Sequence, residues 1–293
     1  MARRGGGGSP LPAPERAALA VVLADPIFEV IPLRNLEDEA ANLPPGSLVS
    51  VTASPAKGLG ATLAWAARLA AAGHRAVPHL SARMVRDRGE LAELLAQARE
   101  AGLTRAFVVG GDADDPGEYL DGLSLLRAMA ELGHPFTVLG VPAYPQGHAT
   151  IPGPALLAAL DAKAPFVRHA TTQMDFDAGA VAAWVRARRA AGLALDVVVG
   201  VPGVADPKRL MGIAARIGVT DTKRFLTKNL RFAAGLARSG GLYRPTGFVE
   251  ALAPLLVERG SGVTGLHLYT FNGVGSTDAW RREELERLAG TPA

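Results

Sequence analysis

Short apolar or β-branched runs alternate along the chain with longer Ala-, Leu- and Arg-rich stretches of helical period. Buried parallel strands joined by amphipathic helices produce this pattern. The strands predicted are Ile27–Ile31, Leu48–Thr52, Ala76–Leu80, Ala106–Val109, Phe136–Val141, Phe166–Thr172, Asp196–Val201 and Gly265–Tyr269. Helices are predicted over Gly58–Ala72, Arg88–Ala101, Gly117–Leu132, Pro154–Ala162, Ala178–Ala191, Pro207–Ile217, Thr222–Arg238 and Thr246–Arg259, with a last one over Ser276–Leu288. Gly73, Gly102, Gly133 and Gly192 fall just past helix ends, where a residue of positive φ stops the turn.

Alternating strands and helices with right-handed crossovers leave two architectures, an open doubly wound sheet or a closed barrel. Eight β/α units at a spacing of about 30 residues in a chain of 293 favour the α/β class as a (β/α)₈ TIM barrel. The long helical stretch between strands seven and eight is an extra segment on the face where barrels bind ligands. The open-sheet alternative rests on Gly58-Leu59-Gly60, which opens a helix after a strand. Its third glycine position is Leu63, however, and the next strand ends on His79 rather than on an acidic residue for a ribose. Residues 1–16, rich in Gly and Pro, read as a disordered tail, and 17–293 as one barrel domain.

Composition narrows the chemistry. With 48% hydrophobic residues the chain can bury a large core, and its lack of cysteine excludes disulfides, thiolate metal sites and a cysteine nucleophile. The apolar stretch Ala61–Ala72 is broken by Arg68 and is shorter than the ~20 residues a bilayer requires. No apolar h-region follows Arg3 and Arg4, so a cytoplasmic protein without a membrane span is expected. A net charge of +3, with Arg scattered among acidic residues, and 5% aromatics argue against a nucleic-acid partner. No Walker A sequence occurs. No His pair has the i, i+4 spacing of a helical metal motif, and no metal is expected. No lysine ends a predicted strand, so a Schiff-base lyase lacks its nucleophile.

In a barrel the chemistry belongs at the C-terminal strand ends, which here carry Glu29, Thr52, His79, Asp112, Tyr144, Gln173 and Asn272. Each has a plain structural alternative. Glu29 suits the surface of an edge strand, which a closed barrel does not have. Asp112, after Gly110-Gly111, suits an Asx-turn, His79 a buried core histidine, and Tyr144 the packing of a Pro-rich loop. Gln173 offers an amide with both donor and acceptor, suited to a heterocycle edge.

Seven short motifs, in order, carry a resemblance. Phe28-Glu29-Val30-Ile31-Pro32, Val49-Ser50-Val51-Thr52, Pro78-His79-Leu80, Gly111-Asp112, Ala143-Tyr144-Pro145-Gln146-Gly147-His148, Thr172-Gln173-Met174-Asp175-Phe176-Asp177 and His267-Leu268-Tyr269-Thr270-Phe271-Asn272 are similar to F-E-F-F-P-P, V-S-V-T, P-H-L, the end of R-G-D, Y-P-E-x-H, T-Q-x-x-F-D and H-F-Y-T-L-N of the methylenetetrahydrofolate reductase family. The resemblance implies a (β/α)₈ barrel that reduces the methylene group of 5,10-methylenetetrahydrofolate to methyl. Ring opening to a 5-iminium cation calls for a proton donor and a nearby anion. Glu29 matches the family's acid and Asp112 its cation-stabilising, pterin-binding carboxylate. Gln173 matches the residue bonded to the pterin, and Tyr269 and Asn272 join Asp112 and Gln173 as expected substrate-binding residues. An acid at neutral pH needs a raised pKa, and the apolar sequence neighbours of Glu29 suggest a setting that raises it.

Thr52, His79, Tyr119, Tyr144 and His148 match cofactor-contacting positions. The family's flavin-holding cations, by contrast, are replaced by Gly110 and Ala162, and its adenosine-binding positions by Ala155 and Ala158. Ala53-Ser54-Pro55 stands where the family has Tyr-Gly. The resemblance is therefore to the flavin-independent branch, with NADH or NADPH as hydride donor. FAD is disfavoured unless Lys163, one position from Ala162, supplies the charge. The expected partners are these small molecules, with a homo-oligomer left open. Two other readings are an FAD-dependent barrel oxidoreductase such as a proline-dehydrogenase-like protein, and a non-catalytic homologue that binds folate or flavin.

Overall fold

Eight parallel strands close on themselves in chain order in the computed structural model, which describes residues 11–207, 210, 212 and 241–290. They are β1 (Ile27–Val30), β2 (Leu48–Val51), β3 (Arg75–Ser81), β4 (Arg105–Val109), β5 (Val138–Ala143), β6 (His169–Thr172), β7 (Asp196–Pro202) and β8 (Val263–Tyr269). Pairing of Ile27 with His267 and of Glu29 with Tyr269 seals the barrel, so Glu29 lies on no edge. All eight predicted strands are present, and the architecture is the (β/α)₈ barrel.

The helices are α1 (Ala13–Ala24), α2 (Leu36–Ala40), α3 (Gly58–Ala71), α4 (Arg88–Glu100), α5 (Gly122–Leu132), α6 (Gly153–Lys163), α7 (Ala178–Ala190), α8 (Thr246–Val257) and α9 (Val274–Gly290). Alternation along each strand sorts its side chains. Phe28, Val30, Val49, Val51, Ala76, Leu80, Val197, Val199, Val201, Leu266 and Leu268 join one apolar layer with the helices. Their immediate neighbours in sequence turn into the barrel. The glycines predicted to end helices, Gly73, Gly102, Gly133 and Gly192, all have positive φ.

Three differences from the predicted elements have local causes. Helix α1 starts at Ala13, so Ala13–Arg16 are helical rather than part of a tail; Pro14 lies in the first turn, where no backbone N–H is required. Its C-terminal carbonyls, on Leu23 and Ala24, accept from the Arg281 guanidinium of α9. Helix α5 starts at Gly122 rather than Gly117, because the Asp121 side chain caps it by accepting from Leu123 N and Ser124 N. The preceding chain instead follows the exit from β3, with Gly117 N bonded to Arg83 O and Glu118 N to Arg86 O. Helix α2 is a single short turn without a clear period and was not predicted.

The connection from β7 to β8 is the extra segment. Its helices predicted over Pro207–Ile217 and Thr222–Arg238 lie outside the described residues apart from Pro207, Leu210 and Gly212. Where the segment leaves and rejoins the barrel, an antiparallel bridge links Ala205 to Tyr243. A second apolar cluster of Met174, Ala205, Leu210, Tyr243 and Phe271 gathers there, with Phe176 and Tyr269 against it.

Candidate active site

TIM barrels usually fill their interior with layers of branched aliphatic side chains. This one fills much of it with polar and aromatic groups. The Phe107 ring lies 4.9 Å from that of His79 and 6.4 Å from those of His169 and His267. Burial lowers the pKa of both His79 and His169 to about 4. His267 adds to the effect at both positions, while Glu29 opposes it at His79, so these two imidazoles are neutral at pH 7.

Room for these rings comes from inward-facing glycines. A Cβ on Gly140 would stand 2.3 Å from His169 Nε2, and one on Gly200 would stand 2.3 Å from the Thr172 carbonyl and 2.7 Å from the Tyr269 ring. The absence of side chain at Gly200 lets Tyr269 reach across β7 and donate to Thr172 O at 3.1 Å. Gly200→Ala is expected to cost about 1–3 kcal/mol in a denaturant titration, as overpacking against backbone does. Unchanged stability would show that the β6–β7 wall yields freely.

At the C-terminal mouth, Glu29 Oε2 is 3.0 Å from His267 Nε2 and 3.8 Å from His79 Nε2. The Glu29 side chain is 14% exposed and that of His267 2%. His79 Nε2 is also 2.7 Å from Ser50 Oγ. The apolar setting expected around Glu29 is therefore not what the fold provides. Phe28 and Val30, apolar in sequence, face the helices, and the carboxyl turns inward to two imidazoles. The other carboxyl oxygen, Oε1, has no hydrogen-bond partner among the described residues.

Around this centre the structure brings together several of the expected residues. Burial, with added contributions from Glu29 and Tyr144, holds the Tyr269 phenol well above its ordinary pKa. Tyr144 is pushed up to about 12, chiefly by burial and then by Asp112. Asp112 itself is exposed. Its carboxylate accepts no hydrogen bond among the described residues, so the Asx-turn alternative does not apply. Gln173 Oε1 accepts from Met174 N at 2.8 Å, which fixes the amide and leaves its Nε2 as a donor. Thr52, half-buried, follows β2 directly, and its carbonyl accepts from Thr62 Oγ1.

Three other expected residues are engaged elsewhere. Asn272 is buried, accepts from Ile31 N, and donates to Ile31 O and Asn35 Oδ1. It ties β8 to the exit of β1 rather than facing a ligand, and its own φ of 55° marks a tight backbone turn. Tyr119 packs into the main apolar layer. His148 meets the Tyr144 ring edge-on at 5.2 Å, and its Nδ1 accepts from Thr150 N within its own loop.

Missed in the sequence were His267 and Ser50, which point inward on β8 and β2, and Arg83 just beyond β3. The Arg83 backbone N donates to Gly110 O, and its Nε donates to Ala113 O at 2.8 Å. Its terminal guanidinium nitrogens have no acceptor among the described residues. The inward alternation of β2 and β8 was the available signal for the first two; none marked Arg83.

At the positions matched to the flavin-holding cations, Gly110 and Ala162 have no charge, and the neighbouring Lys163 ammonium is half-buried, its pKa lowered by burial with Asp121 opposing. Among the described residues no group of three or more His, Asp or Glu is placed to hold a metal, and no helix is long and apolar enough to cross a membrane.

Polar residues collected at one mouth of a closed parallel barrel put the candidate site at the C-terminal strand ends, where enzymes of the barrel class carry their chemistry. Residues 34–280 match the methylenetetrahydrofolate reductase family, and the chain belongs to that family. This supports a reductase-type function on small-molecule substrates. The match opens beyond β1, so the case for Glu29 rests on its geometry and its own motif. Among solved structures, a GH18 chitinase from Cycas revoluta in complex with (GlcNAc)3 is 10% identical, covering 90% of this chain and 99% of the other with a TM-score of 0.51, a likeness of fold alone. A protein described as a lyase or mutase from Burkholderia cenocepacia J2315 is 18% identical over 94% of this chain and 86% of its own, with a TM-score of 0.44.

Proposed function

We propose that this chain is a 5,10-methylenetetrahydrofolate reductase that moves hydride directly from NADH or NADPH to the folate methylene carbon, giving 5-methyltetrahydrofolate. The observation that carries the reading is the Glu29 carboxyl, pinned through one oxygen inside the barrel mouth with the other oxygen free of partners among the described residues. An acid in that position can protonate N10 of the substrate as the C–N10 bond breaks, which leaves a 5-iminium cation. Asp112 supplies a negative charge opposite that cation, and Gln173 Nε2 a donor to the pterin edge. Hydride then leaves C4 of the nicotinamide for the methylene carbon, and the nicotinamide is oxidised.

Direct transfer is supported by the residues at the dinucleotide positions. Gly110 and Ala162 carry no cation, which deprives a flavin pyrophosphate of charge-assisted hydrogen bonds worth roughly 1.5–3 kcal/mol each. The Arg83 guanidinium, held by Ala113 O, offers a bidentate partner to the phosphates of a dinucleotide, nicotinamide and flavin alike.

The purified protein is expected to show no stoichiometric flavin absorption, and its steady-state double-reciprocal plots should intersect, as a ternary complex requires. Tightly bound FAD that is reduced by NAD(P)H alone and reoxidised by methylenetetrahydrofolate would overturn direct transfer and keep the substrate. Absence of methylenetetrahydrofolate reduction with either nicotinamide would overturn the function itself.

A further inference from the structure

We infer that His267 is a positioning residue that donates from Nε2 to Oε2 of Glu29 and so fixes the transferable proton on Oε1. The inference rests on the reductase reading for the substrate involved, but not for the arrangement of the pair. Two arrangements of a neutral imidazole suit a separation of 3.0 Å, and an imidazolium would carry the same Nδ1–H as the second of them. In one, imidazole Nε2–H donates to Oε2; in the other, a carboxyl O–H on Oε2 donates to a bare Nε2, and the imidazole proton sits on Nδ1. His267 Nδ1 is buried with no partner. The second arrangement therefore leaves an orphaned buried N–H, rarer in folded proteins than an acceptor short of a partner.

The surroundings favour the same choice. His79 approaches the same oxygen but lies closer to Ser50 Oγ, at 2.7 Å against 3.8 Å, so it does not displace His267 from Oε2. Thr270 Oγ1 donates to the Glu29 backbone carbonyl at 2.5 Å and anchors the residue from the β8 side. With Oε2 occupied as an acceptor, the proton of a neutral Glu29 belongs to Oε1, which has no protein partner among the described residues.

The proton step then balances simply. The Oε1–H bond breaks as the N10–H bond forms, Glu29 is left as a carboxylate, and His267 Nε2–H remains bonded to it until solvent returns a proton through the mouth. In the alternative arrangement the acidic hydrogen would point down the barrel at an imidazole and would have to rotate before delivery.

Two measurements test this. The first uses the folded protein without substrates: ¹⁵N correlation spectra of the histidine side chains, with His267 assigned from its variants, should show the Nε2–H tautomer. A Nδ1–H tautomer for His267 overturns the inference whatever the enzyme reduces. The second is kinetic. His267→Leu is expected to lower kcat about tenfold or more with the KM of both substrates changed less than about threefold, while His267→Gln, whose amide can donate, recovers most of the loss. In a Glu29→Gln background the Leu substitution should have little further effect on the residual rate, because the residues act as a unit. An equal loss in both backgrounds, or no recovery in the Gln variant, makes His267 a packing residue and overturns the inference. Absence of folate reduction in the unaltered protein counts against the reductase reading alone, since the tautomer is measured without turnover.

Discussion

Glu29→Gln is expected to lower turnover about 10²–10⁴-fold, the contribution of a positioned general acid, with the melting temperature and folate affinity close to those of the unaltered protein. Geometry separates these outcomes. With His267 in the inferred Nε2–H form, the Gln carbonyl can accept from Nε2 across the same 3.0 Å separation, so the pair at the mouth stays bonded. The backbone contact from Thr270 Oγ1 is untouched. Only the proton is lost. An interaction made in the transition state lowers kcat and kcat/KM together. Turnover and a binding titration with methylenetetrahydrofolate check this, and near-normal turnover would remove Glu29 from the mechanism.

The strands were readable because each is a short β-branched run stopped by Gly, Pro or a polar residue, and closure follows from their number. Which way a side chain faces was harder to read. Phe28 and Val30 implied an apolar pocket for Glu29, but strand alternation sends them to the helix layer and sets the carboxyl between His267 and His79. The motif around Asn272 marked a true strand end, yet sequence does not show that its amide is spent on the Ile31 backbone. Tyr119 looked helical because the apolar run from Leu120 onward is helical, while the Asp121 cap that delays the helix depends on local geometry. Arg83 was invisible because its importance comes from a loop 30 residues away, through Ala113 O. Pairings over the β1–β8 seam, such as Glu29 with His267, join residues 238 apart in sequence. No local pattern encodes them.

Asp112→Asn is expected to lower kcat on the order of 10²-fold while folate KM rises only a few-fold. A carboxylate about 4 Å from a unit positive charge gains about 1 kcal/mol in water and about 4 kcal/mol at an effective dielectric of about 20. This range brackets the cost of losing it at about 5- to 10³-fold in rate. In the present structure Asp112 is exposed, which alone would place it at the weak end. A pterin seated over Gln173 and against the buried phenols of Tyr144 and Tyr269 would itself exclude water from the carboxylate and move the interaction toward the strong end. On the proposed mechanism the charge matters only once the ring has opened, because the bound substrate has no iminium to oppose. The loss should therefore fall on kcat more than on binding. Asn keeps the shape and an acceptor for the pterin. A fall confined to affinity would make Asp112 a binding residue without an electrostatic part in the step, and a fall confined to melting temperature would return it to holding the loop after β4.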